Sequence, residues 1–122
     1  MNLRCAAVLA LTVLPTVLSA ALPAHAADWK PLQGSFAITP ENYLDPSDAE
    51  RKDSHLRFQL TGRSARDLFA AMKVATIKDE CTGGMAKRVG EMKCVQFKKP
   101  NRVECSFSID LMAQMIGYGV AC

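Results

Sequence analysis

The sequence predicts an α+β fold, in which a small antiparallel sheet of about four to five strands carries one main helix on one face, in the order β-α-β-β-β-β. Three observations predict it. Leu56, Phe58 and Leu60 alternate with Arg57 and Gln59, which is the period of a strand with one buried face. Ala65, Leu68, Phe69, Met72 and Ala75 then fall on one stripe at helical spacing, with Arg66, Asp67 and Lys73 off it. Beyond the helix, three or four further strand-like runs are separated by Gly- or Pro-containing turns, and cysteines are spread through them as staples.

Met1–Ala26 reads as a secretory signal peptide, with Arg4 at its start, an apolar stretch from Cys5 to Leu22, and Ala24-His25-Ala26 as a small-x-small cleavage pattern. Cleavage near Ala26 leaves 96 residues with fourteen basic and twelve acidic side chains and a single histidine. No second apolar run is long enough to span a bilayer, so a soluble product in the periplasm or the medium is expected. The near balance of charge argues against a dedicated nucleic-acid binder.

Residues 27–53 read as an irregular N-terminal arm holding Pro31, Pro40 and Pro46. Within it Phe36 and Ile38 alternate in a short β-like piece, and Asp45-Pro46-Ser47 opens a turn or short helix. Residues 54–122 form the α+β domain. The strand Leu56–Leu60 turns at Thr61-Gly62-Arg63, and Ser64-Ala65-Arg66-Asp67 has the Ser-x-x-Asp form of a capping box. The helix should stop near Ala75, because Val74, Thr76 and Ile77 are poorer helix formers. Lys78–Gly84 is a loop with backbone freedom at Gly83-Gly84. Strands follow at Ala86–Val89, Met92–Lys98 and Val103–Asp110, with turns at Gly90-Glu91 and Lys99–Arg102, and Met115–Ala121 is a last strand.

Four cysteines remain after cleavage, Cys81, Cys94, Cys105 and Cys122. An even number in a short exported chain implies two disulfides. There is no CxxC pair, and the spacings fit no common zinc site. Of three possible connectivities the expectation favours Cys81–Cys94 with Cys105–Cys122. Each such loop stabilises a small domain by roughly 3 kcal/mol in the chain-entropy model.

Few residues suggest catalysis. His55 is the single histidine outside the signal, and a Ser–His–Asp arrangement would need it as base beside Ser54, Ser64, Ser106 or Ser108. No GxSxG elbow is present. Carboxylate chemistry has Asp79, Glu80 and Asp110 as its loop candidates. The methionines Met85, Met92, Met112 and Met115 suit core filling better than copper, and Asp45, Asp48 and Asp53 lack the spacing of a calcium loop. No cofactor or metal is expected. Lys87, Arg88, Lys93, Lys98, Lys99 and Arg102 face a single acid, Glu91, between Met85 and Arg102, whereas five acids crowd Glu41–Asp53. The chain is therefore polarised, with a basic hairpin suited to an acidic partner or an anionic envelope component.

His55–Leu60 with Thr61-Gly62, the helix Ala65–Met72, Asp79-Glu80-Cys81-Thr82-Gly83-Gly84, and Glu104-Cys105-Ser106-Phe107 with Ile109-Asp110-Leu111 resemble small exported proteins of Gram-negative bacteria. The likeness covers about two-thirds of the chain after cleavage. The layout is also similar to that of periplasmic lysozyme inhibitors and effector-immunity proteins, without the short inhibitory motifs of the former. The expected function is a non-enzymatic binding protein, of inhibitor or immunity type. Its contact is formed by the Lys78–Gly84 loop (Asp79, Glu80, Thr82, Gly83, Gly84) and the turn bearing Lys98, Lys99 and Arg102. The alternative is a small envelope hydrolase using carboxylates near Asp79 and Glu80.

Overall fold

A computed structural model describes residues 27–120. The expected signal peptide Met1–Ala26, with Cys5, and Cys122 lie outside the described residues. The elements are β1 (Gly34–Thr39), β2 (His55–Leu60), α1 (Gly62–Ala71), β3 (Ile77–Lys78), β4 (Met85–Val89), β5 (Met92–Phe97), β6 (Arg102–Asp110) and β7 (Met115–Gly117). The strands form one antiparallel sheet in the order β1-β2-β6-β5-β4-β3, with β7 also on β6. No helix among the described residues is long and apolar enough to cross a membrane.

Among the described residues, the α+β class and one helix on an antiparallel sheet are as the sequence predicts, but the sheet has seven strands where four to five were expected. The extra strands have different origins. Gly34–Thr39, in the arm expected to be irregular, pairs along the full length of β2, from Gly34 opposite Leu60 to Thr39 opposite His55. Ile77–Lys78, expected to be loop, pairs with Ala86 and Met85. The last strand is shorter than expected, ending at Gly117.

Strand β6 organises the sheet because it is long enough to take three partners. One of its edges holds β2 over residues 105–110. The other holds β5 over residues 102–106 and then β7 over residues 108–110. Successive side chains point to opposite faces, so the register places Leu60, Cys105 and Cys94 in one row beneath the helix. These three, with Ala65, Met72 and Val103, form the buried core, and Leu68, Phe69, Met92 and Phe107 pack against it.

The helix runs over Gly62–Ala71 rather than Ser64–Ala75. Its N-cap is Thr61, in an extended conformation and with no side-chain cap bond. The two residues of the expected capping box serve the arm instead. The Ser64 hydroxyl accepts from the Gln33 amide at 2.8 Å, and Asp67 pairs with Lys30 at 3.3 Å. Tertiary partners outcompete a local cap, because a hydroxyl or carboxylate is indifferent to which N–H it satisfies. At the other end Met72 turns extended. The Lys87 ammonium then donates to the Phe69 and Met72 carbonyls at 2.9 and 3.0 Å, a cation on the negative end of the helix.

The disulfide pairing differs from the expected one. Cys94 bonds Cys105, so neither Cys81–Cys94 nor Cys105–Cys122 forms, while Cys81 is disulfide-bonded as well. The register explains this. Cys94 and Cys105 are direct cross-strand partners on the helix side, 3.9 Å apart at Cα, whereas Cys81 lies on the opposite side of the sheet with Lys93 and Ser106. Spacing along the chain says nothing about which face a thiol occupies.

Candidate functional site

The face of the sheet away from the helix carries the polar half of the β1, β2 and β6 patterns, and a cleft of about 590 Å³ opens on it. Arg57 of β2, Ser106 of β6, Lys93 of β5 and Arg88 of β4 line its floor, Asp79-Glu80-Cys81 one wall, and Tyr118-Gly119-Val120 the other, with Tyr43 reaching in from the arm. A smaller cavity of about 90 Å³ adjoins it, sharing Cys81, Lys93 and Ser106 and adding Thr82 and Phe97. The second wall can lie this close because residue 119 is glycine: a Cβ there would overlap the backbone of Ser106 and Phe107.

The Asp79 wall is tied down by its own chemistry. The buried Asp79 carboxylate accepts from the Thr82 hydroxyl at 2.6 Å, the Thr82 amide at 3.1 Å and the Lys93 ammonium at 3.2 Å. Its backbone closes the turn, taking the Gly83 amide at 2.7 Å and giving its own amide to the Gly84 carbonyl at 2.8 Å. Burial pushes the Asp79 carboxyl upward, but the hydrogen bonds from Thr82 and Lys93 and the Lys93 charge outweigh it, so the group sits below the ordinary carboxylate range. Gly83, at φ +70°, holds the left-handed corner of the turn.

Arg57 fixes the other wall. Its guanidinium donates to the carbonyls of Tyr118 at 2.8 Å and Gly119 at 3.2 Å, to the Glu41 carbonyl at 2.7 Å and to the Thr39 hydroxyl at 2.9 Å, and it lies 4.2 Å from the Tyr43 ring centre. One side chain thus joins the arm, the sheet and the C-terminal segment. At the far end, a hydrogen bond to Glu91 and that carboxylate's charge hold the Tyr118 phenol above its ordinary range, against the opposing charge of Arg88. One carboxylate oxygen of Glu91, Oε2, is buried with no hydrogen-bond partner.

The structure brings together some of the expected contact residues and separates others. Asp79 and Glu80 line the main cleft, Thr82 lines the small cavity, and Gly83 and Gly84 shape the turn between them. Lys98 and Lys99 sit on the β5–β6 turn and Arg102 opens β6, and none of the three lines either cavity. Nor is the expected basic hairpin a continuous cationic surface. Lys87 caps the helix, Lys93 pairs with Asp79, and Arg102 pairs with Glu104 at 2.7 Å while stacking on Phe97. Of the cleft cations, the side chains of Lys78 and Arg88 make no hydrogen bond or ion pair among the described residues. Sequence reasoning missed Tyr43, Arg57 and Tyr118. The alternation of β2 puts Arg57 opposite the apolar face, but only the crossing of two distant segments gives it a role.

A Ser–His–Asp trio does assemble, away from the cleft. Ser54 Oγ and His55 Nδ1 are 2.9 Å apart, and His55 Nε2 lies 3.8 Å from Asp110 Oδ2. The geometry is structural. Asp110 Oδ1 accepts from the amides of Met112 and Ala113, both at 2.8 Å, turning the chain into β7. Those backbone bonds, with the His55 charge, lower its carboxyl below the ordinary range. Ser54 gives its backbone to both neighbours, its amide to Thr39 and its carbonyl to Leu111. Ser54 and His55 are buried, and the two cavities are lined by other residues.

Comparison with protein-family models, with curated protein sequences and with solved structures finds no match for this chain.

Proposed function

We propose that this chain is an exported, non-catalytic binding protein of inhibitor or immunity type, acting in the periplasm or the medium, and that the cleft with its Asp79–Gly84 rim is its recognition surface. The carrying observation is that the Asp79 wall of the cleft is braced on several sides and its central carboxylate is already spent. Asp79 is ionised and bonded to Lys93 and Thr82, and Cys81 is in a disulfide beside it. A wall held in one shape loses little entropy on docking, and the open groups around the cleft, Glu80, Lys78 and Arg88, are of the kind that select a partner by charge. Disulfides at Cys81 and between Cys94 and Cys105 suit an oxidising compartment.

The hydrolase reading has one observation in its favour, three acids around one concave cleft. It needs one of them to hold a proton near neutral pH. Asp79 is pushed the other way.

The test is to isolate the native protein from the envelope fraction with whatever it binds, and then to measure that complex with Glu80→Lys and Arg88→Glu in place. Either change should weaken it at least about tenfold, since a rim charge of the wrong sign repels. Equal affinity for wild type and both variants overturns the assignment of the surface. Turnover of a wall polymer that disappears in Glu80→Gln overturns the binding reading itself. N-terminal sequencing should begin at Ala27.

A further inference from the structure

The helix covers only part of the apolar face. Reading the register across the sheet, Ile38, Leu56, Ile109 and Ile116 form one unbroken row over β1, β2, β6 and β7. Phe36, Phe58 and Phe107 form the next row, with the Phe58 and Phe107 rings stacked at 4.9 Å between centres. The third row, Leu60, Cys105 and Cys94, is the one under α1. The two outer rows contain no polar side chain. Phe36 is 68% exposed, Ile38 59% and Ile116 58%, and the others are half-buried.

The adjoining edge is equally unguarded. Strand β1 is exposed over most of its length and reads Gly-Ser-Phe-Ala-Ile-Thr, with no charge and no proline, although such devices ordinarily keep sheet edges apart. The opposite edge, β3, has two residues and ends on Lys78.

We infer that this grid is a two-fold interface with a second copy of this chain, the two sheets stacking face to face over their Ile and Phe rows. The size of the patch supports this occupant. Its exposed fractions amount to roughly 600 Å² of accessible surface at ordinary side-chain areas, already the upper end of what a monomer leaves open. Two such patches bury on the order of 1,200 Å², the threshold for a specific association. An apolar sheet surface four strands wide is matched by another sheet, stacked about 10 Å away, and an isologous contact leaves no apolar remainder on either copy. An extended apolar peptide would cover one row and leave the other wet. The cleft lies on the reverse face, so the dimer presents two clefts outward. It therefore binds a multivalent partner with added avidity.

Sedimentation velocity on the natively purified protein, from about 1 µM to about 300 µM, tests it, because an interface at the size threshold dissociates in that range. The expected result is a concentration-dependent shift from one-chain to two-chain mass. Ile38→Lys and Ile116→Lys should abolish the shift, Leu44→Lys, an exposed apolar residue off the grid, should leave it, and circular dichroism should show all three folded. A monomer throughout, or dimers untouched by both grid variants, overturns the proposal. So does a monomer whose grid is protected from hydrogen exchange only by a different protein. Should a lysine variant fail to fold, Ile38→Thr, which keeps the strand but removes apolar area, should weaken association at least about fivefold.

Discussion

Two halves of one sheet face follow the same sequence rule and reach different ends. Under α1, Leu60, Cys105 and Cys94 are 6%, 1% and 0% exposed. Two and four residues further along β2 and β6, the Phe36 and Ile38 rows stay open. Alternation in β2 and β6 runs through both halves without a break, so the difference lies in what stands over the strands. A ten-residue helix is about 15 Å long and packs on β6 and β5, leaving the β1 side of the face bare. Burial is a property of the layer above a strand as much as of the strand.

The comparison is sharpened by substitutions on either side of the boundary. Leu60→Ala opens a cavity under the helix and should cost about 3–4 kcal/mol in chemical denaturation. Replacing Cys94 and Cys105 by serine, or reducing their bond, should cost about 3 kcal/mol, since the closed loop is short but lies in the core. On the open half, Ile38→Ala should cost the monomer less than about 1 kcal/mol. A loss at Ile38 equal to that at Leu60 would mean that the open rows are covered, and the contrast would fail.

The reverse face supplies a test between these sizes. Asp79→Asn removes one partner of a buried ion pair and should cost about 2 kcal/mol at neutral pH. The direction with pH follows from the depressed Asp79 carboxyl. Its stabilisation is fully present above the unfolded carboxylate range, about pH 4, and is lost as pH falls through the lower folded value. Thermal melts of wild type and Asp79→Asn should therefore differ most at neutral pH and converge in strong acid. A constant gap at all pH values would remove Asp79 ionisation from the account of the rigid wall.

Much of the fold was legible. The β2 alternation, the helix stripe from Ala65 to Met72 and the β6 face of Val103, Cys105 and Phe107 each follow from period alone. The loop at Asp79–Gly84 was legible as a surface feature, and Asp79 and Glu80 do line the cleft. What escaped was every decision made between distant segments. Ser64 and Asp67 form a plausible cap in the chain but bind Gln33 and Lys30 in the fold. Arg57 looks like an ordinary polar strand residue until Glu41, Tyr118 and Gly119 converge on it. Lys98 and Lys99 carry the charge expected of a contact, yet the hairpin places them away from the cavity.

By itself the sequence determined which residues form each central strand and the helix, and which side chains share a face, because backbone period is local. It also set the number of thiols and the polarity of each face. Tertiary structure decided the cysteine pairing, the membership of β1 in the sheet, the extent of helix cover and the composition of the cleft. Each of these depends on cross-strand register and on which layer lies over which strand, and both are settled only when segments far apart in the chain compete for the same hydrogen bonds and the same apolar surface.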